Sequence, residues 1–306
     1  MRVVLFCHVE PGTCRDRTVV FDATRDEGIR VALPRIAEFA DQAGIPVTFA
    51  MTPVALRENP IDMAGHEVAL HLHPQDAFLR ERVAGVMSVP SDCLGTYTTA
   101  EQRVLISASK AIFEEVVGSS PKTFVAGRWS ENPATLRLLL EAGFLFDGSP
   151  LPGHASPCSN WARVPRLAQP YAPSEDDYQA HGLLNYVYIP VYQGYWGHYL
   201  TPELIHLLGP SYFRAALHEA RIGGAHVVHM YFHSPMAVDP SFLCEFQSVL
   251  AYARDELQAQ FSVASDIEAT QSPLPRPFPP AYFAGFNWRL AKTFLGRREF
   301  GQRLLE

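Results

Sequence analysis

His66-Glu-Val-Ala-Leu-His-Leu-His73 decides how the chain folds. Side chains alternate along a strand, so Glu67, Ala69, His71 and His73 share one face, and Val68, Leu70 and Leu72 the other. One face is apolar throughout. The other ends in two imidazoles. The same pattern occurs upstream in residues 2–10, RVVLFCHVE, where Val4, Phe6, His8 and Glu10 share a face and the polar pair again comes last. Near residues 225–233, His229, Tyr231 and His233 share a face that ends at His233. Arg128 lies just past a strand ending at Ala126, and Asp147 ends another. Ionisable groups therefore collect at the C-terminal ends of five strands.

Between these strands the chain alternates with helical segments. Residues 31–43 carry Leu33, Ile36, Ala37 and Ala40 at helical spacing and stop at Gly44. Residues 45–51 form the next strand. Thr99-Ala-Glu-Gln102 is a capping box for a helix reaching Val117, and Asn132-Pro133 opens another that reaches Ala142. Strands follow at 123–126, 144–147, 186–189, 227–232 and 261–264, with a helix opened by Asp239-Pro240 before the last. Repeated βα units imply an α/β fold with a parallel sheet covered by helices. Seven or eight strands favour a closed barrel, and no GxGxxG or P-loop sequence supports an open sheet. Such a barrel carries its active site at the C-terminal strand ends, where the polar residues fall. Residues 148–185 read as a long loop over one barrel face. The expected organisation is one barrel domain over residues 1–270 and a basic tail over 271–306.

The chain has 306 residues, 47% of them hydrophobic, and a formal charge of -7. That balance offers no electrostatic footprint for a nucleic acid. Cys7, Cys14, Cys93, Cys158 and Cys244 are odd in number and form no CxxC pair, so they read as reduced thiols in a reducing compartment. No apolar run at the N-terminus is long enough for a leader, which points to a cytoplasmic protein.

Glu10, His71 and His73 form a carboxylate and two-imidazole set, a usual one for catalytic zinc with a position left open. The plain alternative is that both imidazoles only hydrogen-bond to nearby loops. Charged groups at inward positions are costly unless paired or metal-bound, which favours the metal.

These residues carry a resemblance to the polysaccharide deacetylase family (NodB homology, carbohydrate esterase 4), in its branch with a D-x-E first motif. His8-Val9-Glu10 occupies that motif. Gly65-His66-Glu67-Val68-Ala69-Leu70-His71 resembles the GHE-x-x-x-H metal strand, and Phe124-Val-Ala-Gly-Arg128-Trp129 the third motif. Thr135 to Ser149 is similar to the helix and strand ending in an Asp-x-Ser turn at Asp147, and Tyr231-Phe232-His233-Ser234 resembles the last motif. The resemblance implies a distorted (β/α)7-type barrel and a metal-dependent hydrolase that removes the N-acetyl group of an amino sugar. It implies Glu10 and His71 as ligands of zinc or another divalent transition metal, with His73 standing in for a histidine where the chain has Gln75. Arg128 would orient catalytic groups, His233 would act as general acid, and Asp147 completes the catalytic set. His8 replaces the family's catalytic Asp and acts either as the base or as a further ligand, with Asp22 and Asp76 next in line. Two other classes stay open: a non-catalytic carbohydrate-binding relative, and an amidohydrolase acting on non-sugar amides or ureides.

Aromatic residues supply the substrate wall. Trp129, Tyr195 and Trp196 are the candidates for stacking on sugar rings, with Trp161 of the same kind. Between Arg276 and Glu306 there are six Lys and Arg against two Asp and Glu, and Phe286, Leu290, Ala291, Phe294 and Leu295 share a helix face. The reading is a terminal helix packed on the barrel, with weak membrane-surface contact as the other use of such a face.

Overall fold

The alternation in residues 2–10 organises the structure, a computed structural model that describes residues 1–58, 63–194 and 197–270. Strand β1 (Arg2–Val9) sends Val3, Leu5, Cys7 and Val9 into the main core, and Val4 and Phe6 into a second, smaller one. The two cores lie on the two faces of one curled sheet. Its members are β1, β4 (Thr48–Met51), β5 (Glu67–Leu72), β6 (Thr123–Ala126), β7 (Phe146–Asp147), β8 (Val187–Tyr188), β9 (Val227–His233) and β10 (Gln260–Ser262). β2 (Thr13–Arg15) and β3 (Thr18–Val20) form a separate hairpin that the sequence reading did not anticipate.

β1 is the hub. β9 pairs with it in parallel from Arg2 to His8. Its other edge is shared, with β10 against Arg2–Val4 and β4 against Phe6–Val9. From β4 the order runs through β5, β6 and β7 to β8, all parallel. Beyond β8, Val191 bridges in parallel to His229 of β9, and Tyr192 N donates to His229 O at 3.0 Å. That contact brings the ends of the curl together, so the expected distorted (β/α) barrel is the observed architecture. Val4, Phe6, Ala50, Ala69, Val125 and Ile189 fill its interior. At the opposite end from the site, the Glu67 carboxylate accepts from Thr48, Thr123 and the Ser265 amide and so ties three segments together.

The helices start and stop where local chemistry directs. α1 (Leu33–Ala43) ends on Gly44 in the left-handed region. α2 (Pro53–Glu58) and α3 (Ala77–Val83) are short, and Asp76 caps the second by accepting from Leu79 N. α4 (Thr99–Val117) has its capping box one residue earlier than expected, between Thr98 and Glu101. Asn132 caps α5 (Pro133–Glu141), and Asp239 caps α8 (Pro240–Asp255). α6 (Ile205–Leu208) and α7 (Pro210–Gly223) fill a stretch for which no helix was read. Residues 148–185 are largely irregular, as expected, but they bury Trp161, Tyr171 and Tyr178.

One expectation is corrected. Cys93 and Cys158 form a disulfide, with Cα atoms 5.1 Å apart, while Cys7, Cys14 and Cys244 are free thiols. Sequence separation hid the pair, because the two cysteines are 65 positions apart and only the barrel mouth brings them together. The thiol argument for a reducing compartment therefore no longer holds. No helix of the described residues is long and apolar enough to cross a membrane. The basic tail over 271–306 lies outside the described residues.

Candidate metal and catalytic site

Strand parity and register bring the site residues together. His8 lies in register with His233 on one side and Ala50 on the other, and His71 with Val125. Alternation turns His8 and His71 toward the barrel axis above Phe6 and Ala69, and Glu10 follows His8 one step higher. Glu10 is buried, and its Oε1 lies 2.7 Å from His71 Nε2, 3.3 Å from His73 Nε2 and 4.0 Å from His233 Nε2. Burial works against its charge. The His73 charge and the hydrogen bonds from His71 and His73 outweigh it and hold the carboxyl well below the usual carboxylate range.

Each imidazole is fixed through its other nitrogen. His71 Nδ1 meets the Val125 carbonyl at 3.0 Å, and burial lowers the pKa of its ring. His73 Nδ1 meets Asp92 Oδ2 at 2.7 Å. Burial disfavours a charge on His73, but Glu10 and Asp92 win and push it up to about 10. His233 Nδ1 meets Glu203 Oε1 at 2.7 Å, and the same oxygen accepts from the His233 amide. Against the opposing effect of burial, Glu203 raises the His233 pKa. His8 differs. It is 2% exposed, and its Nε2 is buried without a hydrogen-bond partner. Burial first, and then His71 and His233 nearby, hold its pKa well below the ordinary imidazole value, so the ring is neutral at pH 7.

Glu10, His71 and His73 present three ligand atoms within 4.8 Å of one another. Bonds of about 2.1 Å around a tetrahedral ion place ligand atoms about 3.4 Å apart, so the set suits a small transition cation with little movement. The two imidazoles also have the carbonyl and carboxylate backing that orients metal-ligating histidines. Gln75, where a ligand histidine was missing, serves the same end indirectly. Its amide N donates to Asp92 Oδ1 and its side chain to Pro90 O, which holds the Asp92 loop against His73.

A cavity of about 680 Å³ opens over this cluster. His8, Glu10, His71, His73, Arg128, Trp129 and His233, all expected from the sequence, line it. Arg128 and Trp129 both have φ 56°, a left-handed conformation that costs a non-glycine residue roughly 1 kcal/mol. This double turn aims the Trp129 ring at His8, 5.4 Å away, and at Tyr231, 4.8 Å away. Arg128 Nε reaches Asp92 Oδ2 at 3.4 Å while most of its guanidinium stays exposed. Gly127, just before them, allows a close approach, since a Cβ there would sit 2.6 Å from the His73 ring.

Asp147 is not among the cavity residues. Phe146 faces the small interior core, so alternation turns Asp147 outward into the layer with Tyr186. There it faces Glu131, and burial raises both carboxyls. Trp161 is fully buried and donates to Trp129 O at 2.9 Å, so it braces the turn. Asp76 is buried as a helix cap, and Asp22 is tied to Thr24. Tyr195 and Trp196 lie outside the described residues. Sequence reasoning missed Asp92, Glu203 and Phe21. Phe21 is exposed and sets its ring edge-on to His233 at 5.0 Å. All three sit in connecting segments, where no periodicity marks a residue. Only the Thr201-Pro202 start of a helical turn hinted at Glu203.

No family sequence model and no curated protein sequence matches the chain. Solved structures do. A Mycobacterium smegmatis protein assigned as a polysaccharide deacetylase is 20% identical with a TM-score of 0.59, over 91% of this chain and 94% of that one. Puue allantoinase is 18% identical with a TM-score of 0.57, over 87% and 88%. A Pseudomonas aeruginosa protein assigned as a polysaccharide deacetylase is 16% identical with a TM-score of 0.53, over 87% and 88%. At these identities the likeness is one of fold: the chain has the polysaccharide deacetylase fold.

Proposed function

We propose that the protein is a metal-dependent amide hydrolase that removes an N-acetyl group from an amino sugar. The observation that carries this reading is the Glu10 carboxylate with the Nε2 atoms of His71 and His73 beside it, each ring locked through its other nitrogen. A divalent transition ion such as zinc, when bound, supplies Lewis-acid activation of the scissile carbonyl and of water. The chain supplies the proton transfers. His8, kept neutral by burial and with an unpaired Nε2, accepts a proton from the nucleophile. His233, held by Glu203 and favoured in its protonated form, delivers a proton from Nε2 to the leaving amine. Arg128 and Trp129 orient the substrate at the rim, and Asp147 belongs to the framework behind it.

The half-buried Trp129 face and the open cavity suit a saccharide ring. The likeness of fold to an allantoinase makes a small non-sugar amide the second reading. Metal analysis of the purified protein, followed by amine release from N-acetylated oligosaccharides and from small amides, separates them. The expected result is one tightly held metal ion, saccharide turnover, and loss of both in H71A. Full metal occupancy in H71A would overturn the ligand set. Metal and sugar binding without amine release would instead mark a non-catalytic carbohydrate-binding protein.

A further inference from the structure

Glu10 belongs to two groups of potential ligands. One is the set with His71 and His73. The other is Glu10 with His8 and His233, whose ligand atoms also lie within 4.8 Å of one another. We propose that this second group is a distinct cation position, and that a second divalent transition ion seated there shuts the enzyme down. The inference rests on the metal reading of the first group and goes beyond it.

Three observations support it. First, the His8 Nε2 is buried and unpaired in a residue that is 2% exposed. A buried nitrogen without a partner is costly, and a cation is one partner that satisfies it. Second, His233 repeats the construction of His73. Each ring has a carboxylate 2.7 Å from Nδ1 (Glu203 and Asp92 respectively) and turns Nε2 toward Glu10 Oε1, at 4.0 and 3.3 Å. That backing orients an imidazole as a ligand. Third, His8 and His233 are register partners on adjacent parallel strands, with ring centroids 5.1 Å apart, so their rings leave the sheet at one level.

One carboxylate can serve two ions about 3.5–4 Å apart. Imidazole donors select zinc, copper or nickel over magnesium or calcium. Repulsion between neighbouring dications makes the second ion the weaker one. An ion held there would occupy the Nε2 atoms of His8 and His233. The two groups that move protons during turnover are then both unavailable, so excess metal inhibits.

The test is a zinc titration of the chelator-stripped full chain by equilibrium dialysis with metal analysis, in parallel with Mn2+ electron paramagnetic resonance. The expected result is two equivalents, the second at least tenfold weaker. Manganese signal intensity per ion should fall as the second equivalent loads, because the ions couple through Glu10. His8→Phe, which retains a ring of similar size, should bind one equivalent. E203Q should weaken the second equivalent about tenfold or more and leave the first unchanged, which keeps the test decisive if the His8 variant fails to fold. A single equivalent at millimolar zinc overturns this inference and leaves the proposed function standing. Two equivalents in both variants, unchanged in affinity, mean a surface cation and overturn it as well. No bound metal at all refutes the metal reading itself, and this inference with it.

Discussion

Glu131→Gln should make the protein less sensitive to pH and at least as stable as the parent above neutrality. Glu131 and Asp147 are 3% and 0% exposed. Asp147 accepts from Ser149 N and from Tyr186 Oη, both at 2.7 Å, and Glu131 Oε2 accepts from Tyr188 Oη at 3.0 Å. Glu131 Oε1 is buried without a hydrogen-bond partner. Burial pushes Asp147 from 3.8 up to about 6, and burial together with Asp147 pushes Glu131 well above its ordinary value. The folded state therefore retains protons that the unfolded chain has released. The stabilisation is complete below the unfolded carboxyl pKa and is lost as pH rises through about 6. A shift of roughly two units corresponds to on the order of 3 kcal/mol. Glutamine keeps the shape, accepts from Tyr188 and donates to Asp147 without a second negative charge. Urea unfolding followed by tryptophan fluorescence at steps from about pH 4 to pH 8 gives the stability of each protein. The E131Q-minus-parent difference should climb across that range, because the buried Glu131 carboxyl no longer has to ionise. A difference that stays flat or falls would refute the reasoning. Should D147N instead lower kcat at unchanged Tm, Asp147 is a catalytic group and not part of the framework.

Three further outcomes follow from the site geometry. In G127A the new Cβ has to displace the His73 ring 2.6 Å away, so metal affinity should drop about 10–100-fold; unchanged affinity in chelator competition would contradict the assignment of His73. E203Q removes the carboxylate that raises His233, so kcat should fall about tenfold or more and the alkaline limb of the pH–rate profile should move to lower pH. A lower rate with an unmoved profile would mean that Glu203 only braces the backbone. R128K loses the planar fork on an exposed side chain, so turnover should fall about tenfold with Tm unchanged; equal losses in Tm and rate would make Arg128 a structural residue.

The sequence by itself determined the inward face of the barrel. Alternation along a strand is a local property, so Val4, Phe6, His8 and Glu10, and likewise Ala69 and His71, could be assigned to one side before any partner strand was known. The order of βα units and the helix caps at Asn132 and Asp239 were equally local. Parity also explains why Asp147 stands apart from the cavity residues. Asp147 ends a strand as Glu10 does, but Phe146 takes the inward position in β7, so the carboxylate turns to the outer layer. Only the tertiary structure decided which groups back the imidazoles. Asp92 reaches His73 from a loop 19 residues on, and Glu203 reaches His233 across 30 residues. Neither contact follows from propensity or period, because both depend on how the loops close over the barrel mouth. The Cys93–Cys158 bond and the closure of Val191 onto His229 have the same origin. Each joins segments remote in sequence whose proximity is set by the curl of the sheet.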